Sequence, residues 1–166
     1  LFEQNSGELE YKMDFNSHGY CTSHVRKRNT THGESSIREN IYKYNFTGNE
    51  MRLAEVKRYE ESELEWVMKF TYNLDNLSTK TFDANNSLIG SSITTYNSNY
   101  TFENTIIYDK DGGESRKYTY SFQDYRLINL QTTYFADPNG IETNKYTWNT
   151  KGQIINYVYK DFSSTE

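Results

Sequence analysis

The sequence predicts an all-β fold, an antiparallel meander of about twelve strands made from six hairpin repeats in a curled or barrel-like sheet, and three observations carry that prediction. An aromatic residue followed by Asn or Ser recurs along the whole chain, at Phe15-Asn16, Tyr44-Asn45, Tyr72-Asn73, Tyr96-Asn97, Tyr120-Ser121 and Trp148-Asn149. Apolar and polar residues alternate with a period of two where the strand composition is strongest. Aromatic content is 16%, Pro occurs once, and clusters of Gly, Asn, Asp and Ser separate the aromatic and Thr-rich runs.

The first strand of each repeat ends in the recurring dipeptide. Two positions before the aromatic stand Met13, Tyr42, Phe70, Thr94, Tyr118 and Tyr146; four positions after it stand Gly19, Gly48, Asn76, Tyr100, Asp124 and Gly152. All but Tyr100 of the latter tolerate a left-handed backbone well, so each unit reads as aromatic-x-aromatic followed by a tight turn. The second strand follows as Met51 to Tyr59, Leu77 to Phe82, Tyr100 to Tyr108, Arg126 to Phe135 and Gln153 to Tyr159. Turn residues then lead to the next unit at His32-Gly33, Asn85-Asn86-Ser87, Asp111-Gly112-Gly113 and Asp137-Pro138-Asn139-Gly140. Leu64, Trp66, Met68, Phe70 and Tyr72 alternate with Glu65, Val67, Lys69 and Thr71, and Tyr118, Tyr120 and Phe122 with Lys117, Thr119 and Ser121, so one face is aromatic and the other polar. Good helix formers between Glu50 and Met68 offer a helical alternative there. Open twisted sheets rarely exceed about ten strands without curling. The choice therefore lies between a closed or half-closed barrel with rings inside, which is favoured because closure removes edges, and a curved single layer.

Composition bounds the function. The 166 residues suit one β-repeat domain over 1–166, and 18 Lys plus Arg against 23 Asp plus Glu give a net charge of −5. That balance argues against nucleic acid as a partner, and no apolar run approaches the roughly 18 residues of a membrane helix. A lone Cys21 cannot form an internal disulfide. The chain opens Leu1-Phe2-Glu3-Gln4-Asn5 with no visible signal peptide, as a processed secreted protein also would.

At its repeated positions the sequence resembles the YD-repeat (Rhs-type) proteins of bacterial surfaces and secretions, and the small repeat-bearing lipoproteins and secreted proteins of Bacteroidetes-type bacteria. The best copies are Tyr42-Lys43-Tyr44-Asn45-Phe46-Thr47-Gly48 and Tyr146-Thr147-Trp148-Asn149-Thr150-Lys151-Gly152-Gln153-Ile154, with Asn where the family carries Asp. The resemblance implies a non-catalytic β-repeat shell or surface module, secreted, periplasmic or on the bacterial cell surface, and transfers no active-site residue.

Few residues point to chemistry. His18, Cys21, His24 and His32 cluster in sequence and are the only candidate metal ligands, although a strand would hold His18 and His24 about 20 Å apart with Cys21 on the opposite side. Asp109-Lys110-Asp111-Gly112-Gly113-Glu114 resembles the start of a calcium loop, but its place between strands makes it a hairpin turn. No nucleophile elbow or phosphate-binding loop is present, nothing fixes a pair among Glu60, Glu61, Glu63 and Glu65, and no cofactor is expected. The aromatic rows stand out, because Tyr and Trp offer a flat apolar face with a polar edge. Tyr44, Tyr72, Tyr96, Tyr120 and Trp148 occupy corresponding repeat positions and are expected to form one contiguous row binding a glycan or a protein partner. The rival is a carrier enclosing a lipid or acyl chain in a curled sheet, and a small adaptor or immunity-type protein is a third reading with no specific motif.

Overall fold

A computed structural model describes residues 9–29, 35–47, 50–137 and 140–160. Twelve strands follow one another: β1 Leu9–Phe15, β2 Cys21–Asn29, β3 Ser35–Thr47, β4 Glu50–Glu60, β5 Glu63–Tyr72, β6 Asn76–Asp83, β7 Leu88–Tyr96, β8 Phe102–Tyr108, β9 Glu114–Gln123, β10 Arg126–Tyr134, β11 Ile141–Trp148 and β12 Ile154–Lys160. They form one antiparallel sheet in sequence order from β1 to β12. The predicted meander is therefore present, and it is not closed into a barrel, since β1 and β12 lie at opposite ends of the order. The helix-forming composition of Glu50 to Met68 yields to strand pairing: Val56 faces Met68, Lys57 faces Val67 and Glu55 faces Lys69. Cross-strand partners outweigh the weak local propensities of Glu, Arg and Lys.

The strands group into two compact units, Leu1–Phe70 with Lys80–Ile89, and Thr71–Thr79 with Gly90–Glu166. In the first, β3 and β4 pair from Arg38 opposite Glu60 to Thr47 opposite Glu50, with a one-residue register shift between Lys43 and Tyr44. In the second, register propagates without a break from Thr95 through Asn104, Thr119, Gln131 and Thr143 to Lys160, one residue from each of β7 to β12. Directly paired residues share a face. Rows on the other face are Thr94, Thr105, Tyr118, Thr132 and Glu142, and Tyr120, Leu130, Asn144 and Tyr159.

One turn design recurs. Asn16, Asp83, Asn97, Asp109 and Asn149 each open a five-residue connection in which the side-chain Oδ1 accepts the backbone N–H groups two and four residues on, at 2.8–3.2 Å. The residue three positions on is left-handed in all five: Gly19 (φ 80°), Asn86 (63°), Tyr100 (58°), Gly112 (85°) and Gly152 (78°). The Asx side chain thus satisfies amides that the hairpin leaves unpaired. Two connections use two-residue turns with both residues left-handed, Glu61-Ser62 and Asp124-Tyr125, the geometry that matches strand twist. Asn76, expected in a left-handed turn, instead starts β6, its carbonyl accepting from the Asn73 N–H at 2.8 Å. Gly48, His32-Gly33 and Pro138-Asn139 lie outside the described residues.

Burial is shallow throughout. Among the described residues Val56, 8% exposed, is the buried hydrophobic side chain, and Thr132, 3% exposed, the buried polar one. Among the described residues no large side chain is fully buried. Strand-to-strand hydrogen bonds and neighbouring side chains on each face therefore supply most of the contact, at about 0.2–1 kcal/mol per cross-strand pair.

Tyr100 tests the turn. A non-Gly residue in the left-handed region costs about 1–2 kcal/mol, Tyr100 is 84% exposed, and Gly loses about 0.5–1 kcal/mol of that advantage through the unfolded chain. Tyr100→Gly is expected to raise stability by up to about 1 kcal/mol, or about 2–4 °C in Tm, whereas Asn97→Ala, which removes the Oδ1 that accepts from the Asn99 and Thr101 N–H groups, lowers it by about 1–2 kcal/mol. Thermal melts of both variants check this; a Tyr100→Gly protein less stable than the parent would mean that the ring, not the backbone, holds the turn.

Candidate functional site

Alternation along β7 to β12 places Tyr96, Phe102, Tyr118, Tyr120, Phe122, Tyr134, Tyr146, Trp148 and Tyr157 on one face of the second unit, because each shares a row or an i, i+2 relation with the others. Tyr96 and Phe102 have ring centroids 5.6 Å apart, Phe102 and Tyr120 5.8 Å, and Tyr146 and Tyr157 5.4 Å, all in tilted geometry. Such offset contacts add about 0.5–1.5 kcal/mol beyond burial.

The polar tips on this face bond mainly to one another. Tyr120 Oη donates to Thr105 Oγ1 at 3.4 Å, and Thr94 and Thr105 share a hydroxyl hydrogen bond of 2.8 Å. Tyr157 Oη donates to Asn144 Oδ1. Arg116 lies over the Tyr134 ring at 4.6 Å and donates to Tyr118 Oη at 3.0 Å, while Tyr134 Oη donates to Glu142 Oε1 at 3.0 Å. The Tyr118 bond pushes the Arg116 guanidinium above its ordinary range. Tyr134 is likewise pushed up, first because ionisation would abolish its bond to the Glu142 carboxylate and then by burial, with Arg116 opposing.

A groove of about 400 Å³ lies at one end of this face, lined by Gln123, Asp124, Arg126, Ile128, Tyr146, Thr147 and Trp148. Its walls are held by the backbone: Trp148 Nε1 donates to the Leu127 carbonyl at 2.8 Å and Arg126 Nη1 to the Asn149 carbonyl at 3.1 Å. A flat indole beside amide, carboxylate, hydroxyl and guanidinium groups can stack on a ring and hydrogen-bond its rim.

The five candidate row residues are not all equivalent. Tyr96 and Tyr120 are linked through Phe102. Trp148 sits level with Leu127, the partner of Phe122, and not with Tyr120. The reason is the two-residue turn at Asp124-Tyr125: counted back from it, Phe122 takes the place near the turn, and Tyr120 falls two residues deeper. Tyr72 ends β5 and is half-buried. Tyr44 lies in the first unit, its ring 5.3 Å from Tyr20 and its hydroxyl donating to the Cys21 carbonyl at 2.9 Å. Alternation on β5 is also interrupted, because a register shift between Arg58 and Tyr59 leaves Glu65 unpaired, which separates Leu64 from the Trp66 series. There Arg58 stacks 5.7 Å from the Trp66 ring, with Nε 2.9 Å from Glu65 Oε2 as an ion pair rather than a directed hydrogen bond.

The metal-ligand candidates lie apart. His18 meets the edge of Phe46 at 6.3 Å, Cys21 Sγ donates to the Ser23 carbonyl at 3.2 Å, and His24 stacks on Tyr11 at 5.7 Å. Among the described residues no three His, Cys, Asp or Glu converge, and His32 lies outside them. The carboxylate of Asp109 is used by the turn, accepting from Asp111 and Gly113. Burial, then the neighbouring Cys21 thiol group, raises the Tyr42 pKa.

Two Asx turns escape a search for aromatic-Asn or aromatic-Ser. Phe82-Asp83 and Tyr108-Asp109 carry the same aromatic-Asx spacing at the opposite strand ends, with Asn86 and Gly112 left-handed. Allowing Asp in the pattern would have found them. The Arg116, Tyr134 and Glu142 cluster has no such signal, since three strands bring it together. Compared with protein-family models and with curated proteins, the chain matches none.

Tyrosine titration tests the Tyr134 bond. A folded-state pKa above the unfolded value of about 10 means that the bond stabilises the fold below about pH 10, and that this contribution is lost as pH rises through the folded value. The difference between tyrosinate absorbance curves of the parent and Tyr134→Phe is expected to have its midpoint above pH 10 and to move down in a Glu142→Gln background. A midpoint at or below the ordinary value in the parent would show that the hydroxyl does not engage the carboxylate.

Proposed function

We propose that this chain is a non-enzymatic β-repeat module, secreted or held at a bacterial cell surface, that binds a glycan or a protein partner through the aromatic face of β7 to β12. One observation carries the reading: a ladder of half-buried and exposed rings whose polar tips already bond to one another, with little among the described residues packed over them. Desolvating a face whose hydroxyls are internally satisfied costs less than desolvating free ones, and rigid rings lose little entropy on contact. The groove beside Trp148 supports a glycan as the first partner to test, because it offers a stacking surface rimmed by hydrogen-bonding groups. The Asp turns after Phe82 and Tyr108 support the resemblance to YD-type repeats, as aromatic-Asp followed by a left-handed residue is nearer to that unit than the Asn copies are. A carrier for an apolar chain requires an enclosed cavity; the open strand order and shallow burial do not favour it.

A glycan array probed with labelled protein, followed by calorimetry on any hit, tests the proposal. Tyr96→Ala and Trp148→Ala are expected to weaken binding at least tenfold, about 1.4 kcal/mol, while Thr119→Ala and Lys145→Ala on the opposite face leave it unchanged. Trp148→Ala should also lower stability by about 1–3 kcal/mol through lost contact and the freed Leu127 carbonyl, so binding is measured well below each Tm. Equal binding by all four variants would remove the aromatic face from consideration.

A further inference from the structure

The groove beside Trp148 differs from the rest of the aromatic face in how its strands meet. Between β10 and β11 the ladder runs from Thr133 opposite Ile141 to Asn129 opposite Lys145 and stops there, although both strands continue for three more residues. Each end keeps its outer neighbour: Arg126 faces Gln123 and Leu127 faces Phe122, while Tyr146 faces Tyr157 and Thr147 faces Asn156. The cause lies in β10, where the register against β9 shifts between Leu127 and Asn129 and leaves Ile128 as an extra residue. A bulge of this kind bends its strand and increases the local twist, so the two strands fork. Side chains fasten the fork across the gap, Trp148 Nε1 to the Leu127 carbonyl at 2.8 Å and Arg126 Nη1 to the Asn149 carbonyl at 3.1 Å. The indole is thereby fixed as one wall.

The polar groups of the groove are also unlike those around it. On the surrounding face the tips bond to one another, as Tyr120 does with Thr105, Tyr157 with Asn144 and Tyr134 with Glu142. In the groove, the side chains of Gln123, Asp124 and Thr147 have no hydrogen bond or ion pair among the described residues. Arg126 commits Nη1 to Asn149 and keeps further N–H groups to donate. One carboxylate and one guanidinium, two residues apart, leave the groove without net charge.

We infer, resting on the binding role proposed above, that this fork takes an uncharged pyranose stacked on Trp148, with adjacent sugar hydroxyls donating to Asp124 and a further sugar oxygen accepting from Arg126. Charge decides the class. An acidic sugar pairs with Arg126 but brings its carboxylate toward Asp124, and an amino sugar meets the converse opposition from Arg126. A neutral polyol uses both groups at once, in charge-assisted hydrogen bonds roughly twice as strong as neutral ones. The C–H face of a pyranose fits the flat apolar ring, and its hydroxyls reach the polar rim. The groove volume of about 400 Å³ falls within the roughly 300–1,000 Å³ of small-molecule sites.

Titration of the isotope-labelled full chain with methyl glycosides reads this through the Trp148 Nε1–H resonance, assigned by its loss in Trp148→Phe. The neutral probes are the methyl glycosides of glucose, galactose and mannose, and the charged ones those of glucuronic acid and glucosamine. At least one neutral glycoside is expected to shift the resonance with a Kd of about 1 mM, and both charged ones to bind at least about tenfold more weakly. Asn suits the left-handed turn position of Asp124 (φ 50°), so Asp124→Asn keeps the fold. It should weaken the neutral glycoside about tenfold and tighten the glucuronide, a reversal that loss of structure does not produce. Thr119→Ala on the opposite face should leave the titration unchanged. Preference for a charged sugar, equal binding of charged and neutral ones, or parent-like binding by Asp124→Asn overturns the inference. The aromatic face keeps its role in that case if array glycans still bind and are lost in Tyr96→Ala. A resonance unmoved by every probe also overturns it, and silence on the array as well removes glycan binding altogether.

Discussion

The hydrogen-bond ladder between neighbouring strands is the interaction on which the rest of this molecule depends. In a domain with two packed layers the apolar interior carries the fold and the backbone follows; here Val56 is the buried hydrophobic side chain among the described residues. Each strand between β2 and β11 is instead held by the two beside it. Side chains gain partial burial from cross-strand neighbours on their own face, in rows such as Tyr120, Leu130 and Asn144. Stability in such an arrangement accumulates from adjacent elements, as in repeat proteins, and does not concentrate in a nucleus of large residues.

That dependence explains the weight placed on the turns. A hairpin with wrong loop geometry slips its register, and a slip of one residue exchanges the two faces. The Asx side chain at Asn16, Asp83, Asn97, Asp109 and Asn149 pins the loop by accepting two backbone N–H groups, and the left-handed residue three positions on closes it. Register irregularities beside several of these turns, at Phe15, Tyr96 and Trp148, each absorb one residue, and they fall where an aromatic ring meets the loop. Turn and ring therefore act as one unit, which is why the aromatic-Asx pair recurs.

The asymmetry of the faces in the second unit follows from the same register. Thr95, Asn104, Thr119, Gln131, Thr143 and Lys160 form a polar row, while the opposite side collects rings whose hydroxyls bond within the face. A surface of this kind is rigid, broad and already satisfied in its polar groups. The binding role proposed above rests on a surface of this kind.

The sequence by itself determined the all-β class, the strand count, the antiparallel order and most turn positions, because period-two alternation and Asx-Gly spacing are local signals that neighbouring residues alone create. It also placed Tyr118, Tyr120 and Phe122 of β9 on one face, since alternation within a strand is local too. Whether the sheet closes was not legible: closure depends on twist and stagger summed over many strands, and no residue records it. Nor was the inequality of Tyr120 and Trp148, which rests on one connection being a two-residue turn at Asp124-Tyr125. The cluster of Arg116, Tyr134 and Glu142 and the groove beside Trp148 arose only in the tertiary structure, because they join side chains from different strands whose meeting is set by register and not by spacing along the chain.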